Sequence, residues 1–580
     1  MPTLTRLSRY SGNCQTAQQV LVLLCCVFLF TSGAAQAQFV PGADAATAAR
    51  EQRRQDERIN AIRQQQERTA DVRLTVAPSD ATSRLPEESP CFVIDRLFLK
   101  SDGGQDFSWL LESASGPQAD DSPIGRCLGG QGINLLLKRL QNALVAEGYI
   151  TTRIGAEAQD LKKGELQFVL TPGRIQDIRH AADSAPVSLW SAFPAKPGDL
   201  LNLRDIEQGL ENIKYPPSAD AGIKILPGES EGLSELEVSR RQDFPLRATL
   251  AADDGGTKAT GKYQGSVTIA WDSPTRFSDL FYVTLNHDLK YGGGRGTDGG
   301  VVHYSVPFGY WLASATYDRG NNFQTIAGAF QNYVYKGRNS HAEVKLSRIV
   351  HRDGNSKSTL AFAAFQRRAR NYIDDTEVEV QRRQTGGWQF SVGHRHFIGA
   401  ATVDAGLAYK RGTGAFGAIS APEELFGEGT SRFEIFTVDL GYYLPIELNG
   451  SMWQYRANAR IQVDRTPLAV PERFVIGGRY SVRGFDGETV LSAERGWYLR
   501  NEIATTVIPG LEAYGGLDIG AVAGPSADLL IGKRLAGAVI GLRGGYRALR
   551  YEVFVGAPVY KPNGFQTAST TAGFNLSMGF

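Results

Sequence analysis

The sequence has little methionine, little cysteine and no excess of charge of either sign. Of its 580 residues, 3 are Met and 5 are Cys, and 62 Lys and Arg residues balance 61 Asp and Glu residues. That balance argues against nucleic-acid binding, which usually needs a concentrated basic surface. After the first thirty residues no apolar run reaches the roughly 18–20 residues of a membrane-spanning helix, which argues against a helical membrane bundle.

Motifs for catalysis and for nucleotide or metal binding are also missing. There is no Gly-x-Ser-x-Gly and no His-Glu-x-x-His. Residues 294–299 spell Gly-x-Gly-x-x-Gly but lie in a turn rather than between a strand and a helix. Residues 256–262 nearly form a phosphate-binding loop, but Tyr263 replaces the required Ser or Thr. We therefore predict no enzymatic activity, no cofactor and no metal.

The first 37 residues have the three parts of a secretory signal peptide. Arg6 and Arg9 make the start positive, residues 20–30 form an apolar core, and residues 35–37 (Ala-Gln-Ala) match a cleavage site. A membrane anchor is the alternative interpretation, but the apolar core is too short for it. The sequence therefore predicts export across the inner membrane and removal of residues 1–37.

Two cysteines remain after that cleavage, Cys91 and Cys127. In an oxidising compartment two is a natural count for one disulfide. A zinc site is the competing interpretation, but two cysteines with no nearby His pair do not supply four ligands. We predict a disulfide, which would stabilise the fold by roughly 3–4 kcal/mol by constraining the unfolded chain.

Residues 43–73 contain no Gly and no Pro and are rich in Ala, Gln, Glu and Arg, which predicts a helix. This helix would be polar on every side, so it is not a core helix. Two interpretations stay open: a solvated spacer, or a helix lying in a polar, water-filled cavity. Residues 76–90 hold three prolines and small polar residues, which predicts a linker.

Two β–α–β units of similar size follow the linker. Their predicted strands and helices lie at residues 92–98, 132–147 and 166–170 in the first unit, and at residues 175–179, 203–213, 223–226 and 233–238 in the second. Consecutive units of this kind indicate two small α+β modules in tandem.

From about residue 245 to the end, apolar and polar residues alternate. Residues 455–464 are the clearest case, with one apolar face and one strongly charged face. A soluble sandwich also alternates, but long strands with a charged inner face are typical of a membrane β-barrel with a wet lumen. Lipid leaves no free sheet edge, so the sheet must close. The chain ends with apolar residues at every second position and a final Phe580, which resembles the ending of bacterial outer-membrane proteins, where it helps to recruit the insertion machinery.

Several stretches together resemble one family, the two-partner secretion outer-membrane transporters (TpsB proteins of the ShlB/FhaC/HecB type), which are related to BamA. The stretches are residues 148–152 (GYITT), 171–173 (TPG), 201–213 (LNLRDIEQGLENI), 477–488 (GGRYSVRGFDGE) and 494–502 (ERGWYLRNE). The resemblance implies a plug helix, a linker, two POTRA domains and a barrel of about 16 antiparallel strands.

The implied organisation covers nearly the whole chain. Its expected parts are a signal peptide at 1–37, a plug helix at 38–73, a linker at 74–90, POTRA domain 1 at 91–173, POTRA domain 2 at 174–244 and the barrel at 245–580. Sixteen strands would each have roughly 21 residues with their turn, enough for the 9–11 residues of a membrane-spanning strand.

The tetrad Val482, Arg483, Gly484 and Phe485 matches the family's V-R-G-F/Y motif. The resemblance implies that the tetrad lies at the tip of a long extracellular loop folded back into the barrel. There Arg483 would pair with Asp518, in an F-x-D-x-G motif that ends at Gly520.

The sequence departs from that motif at Gly516, which stands where an aromatic residue is expected. An ordinary surface salt bridge is the alternative role for Arg483. We expect a pair that water partly screens and that positions the loop more than it stabilises it.

The resemblance implies a transporter in the outer membrane with its POTRA domains in the periplasm. Those domains would bind a large secreted TpsA exoprotein (a haemolysin, an adhesin or a contact-dependent toxin), which passes through the barrel without nucleotide hydrolysis. Other expected partners are outer-membrane lipid and the barrel-assembly machinery, with no nucleic acid. Two alternatives remain: a BamA-type assembly factor, although five POTRA modules are typical there, and a solute porin, which needs neither the modules nor the tetrad.

Overall fold

The structure of the chain is a computed structural model. It describes residues 43–67, 71–74, 76, 79–81, 83–101, 106–116, 118, 120–290, 293–328 and 330–580. The predicted signal peptide lies outside the described residues. One compact unit comprises Ala45–Phe580, and the other, Met1–Asp44, lies outside the described residues apart from its last two.

The first α+β module is built around one helix of 17 residues. Its elements are β1 Phe92–Ile94, β2 Arg96–Ser101, a 3-10 helix Ser108–Ala114, β3 Arg126–Leu128, α2 Gly130–Ala146, β4 Arg153–Gly155, a 3-10 turn Leu161–Lys163 and β5 Glu165–Thr171. Strand β5 lies between β2, which is parallel to it, and β4, which is antiparallel. The strand predicted at residues 92–98 is in fact two, because the backbone N–H groups of Asp95 and Arg96 bond to Gly164.

A carboxylate caps the N-terminus of helix α2, and one face of the helix is buried. Leu136, Leu140 and Leu144 are fully buried in the core of the module. At its N-terminus, the Glu88 carboxylate accepts hydrogen bonds from the backbone N–H groups of Gly129, Gln131 and Gly132. An anion at this position satisfies amide groups that have no partner within the helix.

The second module repeats the design. Its elements are β6 Arg174–His180, α3 Leu189–Ala192, α4 Leu203–Ile213, β7 Ala219–Pro227 and β8 Leu233–Gln242. The sheet order is β6-β8-β7, with β6 parallel and β7 antiparallel to β8. Ile206 and Leu210 pack α4 onto the sheet, and the Asn202 side chain caps the helix. The predicted bounds of α4 are confirmed.

A closed antiparallel barrel of sixteen long strands follows. Its strands are β9 Leu246–Asp253, β10 Gln264–Asp272, β11 Leu280–Asp288, β12 Arg295–Phe308, β13 Trp311–Ala327, β14 Asn332–Arg352, β15 Ser356–Ile373, β17 Arg383–Ile398, β18 Ala401–Thr413, β19 Glu434–Leu448, β20 Ser451–Asp464, β23 Arg495–Ile508, β24 Leu511–Ala523, β25 Arg534–Tyr546, β26 Leu549–Tyr560 and β27 Thr571–Gly579. Strand β27 pairs with β9 and closes the ring. The predicted barrel is confirmed.

Three short strands and five short 3-10 turns lie in the loops. They are β16 Thr376–Glu377, β21 Phe474–Ile476, β22 Leu491–Ala493, and the turns Glu379–Gln381, Ala415–Gly417, Pro422–Phe426, Val470–Glu472 and Pro525–Leu529. Among the residues that the structure describes, no helix is both long and apolar enough to span a membrane.

The wall of the barrel has unequal height. Strand β14 has 21 residues, which at about 3.4 Å per residue is about 70 Å, whereas a membrane-spanning strand needs roughly 9–11 residues. The strands β13–β15 are thus longer than the minimum that a membrane-spanning strand needs. Outward-facing Ile461 and Val463 on β20 are exposed, as the alternation predicts for a lipid face.

Helix α1, Ala43–Gln66, lies inside the barrel. Asp56 pairs with Arg367 of β15 at 2.8 Å, Gln55 donates to Asp318 of β13, and Arg247 of β9 donates to Gln66. These partners stand on well-separated strands of the ring, so the helix occupies the lumen. Of the two interpretations left open by the sequence, the helix in a polar cavity is the one observed.

The helix is shorter than its predicted span of 43–73. It ends at Gln66, and residues 71–74 are not helical. The backbone N–H groups of Val72 and Leu74 donate to carboxylates of α4 instead of to carbonyls of their own segment. A tertiary contact thus overrides the local helix propensity of the segment.

Candidate functional site

The tetrad lies in the long loop between β20 and β23. Strands β21 and β22 pair at the neck of this loop, and residues 477–490 form its tip. Gly484 has a φ of +94°, and a Cβ there would lie 2.5 Å from the carbonyl oxygen of Ala557 on β26. Only glycine combines that backbone conformation with so close an approach to the wall.

Arg483 points from the loop tip to the inner wall of the barrel. Its Nε donates to Asp518 Oδ2 at 2.7 Å, and its Nη2 donates to Asp518 Oδ1 at 2.9 Å. The backbone N–H of Arg483 also donates to Oδ2 at 2.9 Å. A fork of this geometry fixes both the position and the orientation of the loop tip.

A second carboxylate, which the sequence reasoning missed, completes the cluster. Arg483 Nη1 donates to Glu502 Oε2 at 2.7 Å, and Arg543 Nη1 donates to the other oxygen at 2.6 Å. Glu502 ends the stretch 494–502 and shares the inward face of β23 with Arg500. The period-two alternation in that stretch was the sequence signal that could have placed Glu502 on the inward face of the barrel.

Burial of the pair differs from the expectation of partial screening. The Asp518 side chain is 0% exposed and the Arg483 side chain 8% exposed. The loop itself covers the pair. The small stabilisation that is typical of exposed ion pairs therefore does not apply to it. Removing one partner of such a buried pair leaves an uncompensated charge, which is costly.

The other residues of the tetrad anchor the tip by packing. Val482 is fully buried, and a Cβ at Gly520 would lie 2.9 Å from its Cγ2, so Gly520 makes room for Val482. Phe485 is buried, and its ring meets that of Phe565 edge to face at 5.9 Å. Apolar contacts on both sides of Arg483 therefore exclude water from the pair.

The departure at Gly516 has a local explanation. A Cβ at this position would lie 2.6 Å from Nη2 of Arg483 and 2.7 Å from the carbonyl oxygen of Asn501. The guanidinium group of Arg483 thus occupies the space beside Gly516. An aromatic side chain would need a different path there.

Helix α1 touches the same loop from the lumen. Arg54 donates to the carbonyl oxygens of Gly487 and Gly255 at 2.9 and 2.8 Å, and Arg50 donates to the carbonyl oxygen of Glu488. Toward the other end of the helix, Arg63 donates to Thr316 of β13 at 3.1 Å. Polar groups thus bind the helix to the loop and to the wall, and Ile59 and Ile62 of the helix also pack against an apolar patch of the wall.

Outside the barrel, Cys91 and Cys127 form a disulfide with their Cα atoms 5.2 Å apart. The bridge lies beside the first strands of the first α+β module, since Val93 of β1 pairs with Cys127 of β3. It is remote in sequence and function from the tetrad.

Comparison with known families assigns the main parts of the chain. Residues 232–544 match the family described as haemolysin secretion/activation protein ShlB/FhaC/HecB. Residues 118–173 match the ShlB-type POTRA domain, and residues 174–227 match a POTRA domain.

Curated relatives and a solved structure agree with these matches. The chain is 36% identical over 568 residues to the outer membrane transporter CdiB-2 of Burkholderia pseudomallei (strain 1026b), covering 94% of this chain and 97% of that protein. It is 26% identical to the hemolysin transporter protein ShlB of Serratia marcescens, covering 76% and 78% of the two chains. CdiB from Acinetobacter baumannii superposes with a TM-score of 0.79 at 27% identity, covering 94% of this chain and 100% of that one.

The predicted location in the outer membrane and the predicted fold are confirmed by these findings. The chain therefore belongs to the ShlB/FhaC/HecB family of two-partner secretion transporters of the bacterial outer membrane.

Proposed function

We propose that this transporter exports a large TpsA-type exoprotein, of the class that the contact-dependent toxin and haemolysin transporters among its relatives serve. The observation that carries the proposal is the polar helix α1 in the lumen of a sixteen-stranded barrel. A barrel of this size leaves a channel when nothing fills it. A polar helix is solvated both inside and outside such a channel, so it serves as a removable plug.

The POTRA domains are the proposed receptor for the unfolded exoprotein. Strand β7 pairs with β8 on one side, and on the other side it pairs with no strand in the part of the chain that the structure describes. Such an edge accepts an extended segment by backbone hydrogen bonds. Folding of the exoprotein outside the cell would give the transport its direction, because the sequence has no nucleotide-binding motif.

The tetrad is the proposed holder of the long loop during transport. Arg483, bound to Asp518 and Glu502, would keep the loop tip against the wall while the plug leaves and the exoprotein passes. In this role the tetrad, Asp518 and Gly520 position a loop and carry out no chemistry. The chain is accordingly proposed to be no enzyme.

The proposed organisation keeps the six parts predicted from the sequence. The two POTRA matches at residues 118–173 and 174–227 fall within the proposed domains 91–173 and 174–244 and share the boundary at residue 173. Outer-membrane lipid around the barrel and the barrel-assembly machinery during insertion are the further proposed partners. A BamA-type assembly function is less supported, because the named relatives are transporters.

Export from two plasmids tests the proposal. A neighbouring gene for a large exoprotein would be expressed with and without this chain, and the medium assayed for the exoprotein. Release only when both are present is the expected result. Retention of the exoprotein beside a correctly inserted barrel, with a partner from the same gene cluster, would contradict an export function.

A further inference from the structure

Residues 71–74, here called the linker segment, follow the plug helix and lie against POTRA domain 2. The backbone N–H of Val72 donates to Glu211 Oε1 at 3.0 Å, and the backbone N–H of Leu74 donates to Glu207 Oε1 at 2.7 Å. Both carboxylates come from α4, one helical turn apart. Two amides separated by one residue thus meet two acceptors on one face of the helix, as an extended peptide requires.

A barrel arginine completes this site from the other side. Arg352 Nη2 donates to the carbonyl oxygen of Val72 at 2.7 Å and to Glu211 Oε1 at 2.9 Å. Its Nε donates to Glu207 Oε2 at 3.3 Å. The Arg352 side chain is 5% exposed and that of Glu207 is 1% exposed. Donors and acceptors for a peptide backbone are therefore buried together between α4 and the end of β14.

The same segment presents its apolar side chains to POTRA domain 2. Val72 and Leu74 are half-buried and pack against the core that contains Ile206 and Leu210. Arg73, between them, points instead to the Phe397 ring, with its guanidinium carbon 3.9 Å from the ring centre. A protein surface recognises an extended peptide through side chains that alternate in this way. We call the surface formed by Glu207, Glu211, Arg352 and this apolar patch the linker groove.

Chain length links the linker groove to the plug. Helix α1 has 24 residues and is about 36 Å long, so sliding out of the barrel requires its end to travel about that far. From Gln66, the last helical residue, to Asp71 the chain reaches at most about 18 Å when fully extended. Asp71 is itself fixed by Lys357 at 3.1 Å and by Arg395 at 2.5 Å. While the linker segment stays bound, this short tether limits how far the end of the plug moves from its place in the barrel.

We propose that the linker groove is a binding site for extended polypeptide with apolar side chains at alternate positions, and that the linker segment occupies it as an internal competitor that locks the plug. An external segment of the same character displaces the linker segment and frees the helix. The assignment of this external segment to the exported protein rests on the proposed function. The groove and the lock do not depend on that function.

Direct binding tests the groove. The probe is a fluorescein-labelled peptide with the sequence of residues 71–76, DVRLTV, and the receptor is the full chain in detergent carrying Val72→Ser and Leu74→Ser. These substitutions weaken the internal competitor and leave every residue of the groove unchanged. The tether holds the native segment at an effective concentration on the order of millimolar, so the peptide should bind the variant at least about tenfold more tightly than the natural chain.

Two controls distinguish binding in the groove from non-specific peptide binding and from a general weakening of the contact between α4 and the barrel. The peptide DSRSTV lacks the apolar side chains and should not bind. Tyr310→Phe removes a different bond between α4 and the barrel, from the Tyr310 hydroxyl to Asp205 at 2.6 Å, and should bind no more peptide than the natural chain. Equal binding to all three receptors, or no binding to the double variant, overturns the proposal and leaves export from two plasmids unaffected.

Channel opening tests the lock independently of any exoprotein. Ten Gly and Ser residues inserted between Glu67 and Asp71 add about 35 Å of reach and leave the groove intact. In planar bilayers, this insertion and the Val72→Ser, Leu74→Ser variant should both raise the fraction of time that the channel conducts. Unchanged conductance in both variants would overturn the lock.

Discussion

Two buried arginines differ in what they connect, Arg483 within the barrel and Arg352 between the barrel and POTRA domain 2. Arg483 and its carboxylates Asp518 and Glu502 all belong to the barrel and its loop. Arg352 instead joins a barrel strand to POTRA domain 2 and to the linker segment. Buried ion pairs thus hold the loop to the barrel wall in one place and connect the barrel to POTRA domain 2 and the linker segment in the other.

The two clusters differ in the cations that remain beside each carboxylate when the arginine separates from it. Near the linker groove, Glu207 keeps Arg204 at 2.7 Å and Glu211 keeps Lys357 at 3.3 Å. In the barrel, Glu502 keeps Arg543 at 2.6 Å, but the second cation near Asp518, Arg500, lies at 3.8 Å. Carboxylates with a close second cation tolerate separation, because no buried charge is left alone. We therefore expect the Arg352 cluster to separate more readily than the Arg483–Asp518 pair.

The largest effect is expected for Arg483→Ala. The variant leaves Asp518 buried without its close partner, which should destabilise the docked loop by about 3–5 kcal/mol and abolish export while the barrel still inserts. Export and protease resistance of the loop measure this outcome. The matched control is Arg495→Ala at the base of the same loop, where the arginine of the pair with Asp464 is 53% exposed, so export should be unchanged. Normal export by the Arg483 variant would remove this cluster from the mechanism.

Loss of the disulfide should leave both arginine clusters unchanged. Replacing Cys91 and Cys127 by Ser opens a loop of 36 residues and should lower the free energy of unfolding of POTRA domain 1 by about 3–4 kcal/mol. Conductance should not change, because the bridge contacts neither cluster. Thiol labelling of the natural, unreduced chain should find both cysteines unreactive; stoichiometric labelling would refute the bridge.

A smaller and opposite effect is expected for Arg352→Gln. Because Glu207 and Glu211 keep their second cations, the cost should be about 1–3 kcal/mol. The linker segment should detach more often, so planar bilayers should show more frequent opening while export continues. If this variant behaved like Arg483→Ala, with export lost and conductance unchanged, the contrast between the two clusters would fail.

The smallest effect concerns pH and the cap on α2, which contacts neither arginine. Desolvation raises the pKa of Glu88, but hydrogen bonds from the backbone N–H groups of Gln131, Gly132 and Gly129 lower it more, so its pKa lies below the ordinary value. The ionised cap therefore stabilises POTRA domain 1 above an unfolded-state pKa of about 4.3, and this contribution disappears as pH falls through the folded-state pKa. Acid titration followed by circular dichroism should show a shallower loss of stability in Glu88→Ala. Identical titration curves would exclude the cap.

Local patterns predicted most of the fold. Alternation predicted the barrel, and helix α4 was predicted at the bounds observed, Leu203–Ile213. The helix ending at Gln66 and the division of residues 92–98 into two strands were not predicted, because contacts with residues distant in sequence decide both.

The candidate site was predicted in part. The tetrad and Asp518 were identified through family resemblance, and the structure brings them together. Glu502 and the linker groove were not predicted, because a carboxylate on a strand or helix does not reveal its partner from sequence alone. The burial of Arg483 was also missed, since it depends on how the loop folds over its own tip.

Fixing the plug in place tests the central claim most directly. A Cβ at Gly320 of β13 would lie 2.6 Å from Cδ of Gln55, so cysteines at positions 55 and 320 are within reach of a disulfide. Gln55→Cys with Gly320→Cys would be compared in oxidised and reduced form, with the natural chain under the same reductant as control. We predict that the oxidised variant neither conducts nor exports and that reduction restores both. Undiminished export with the helix bound covalently to the wall would contradict the claim that the plug leaves the lumen.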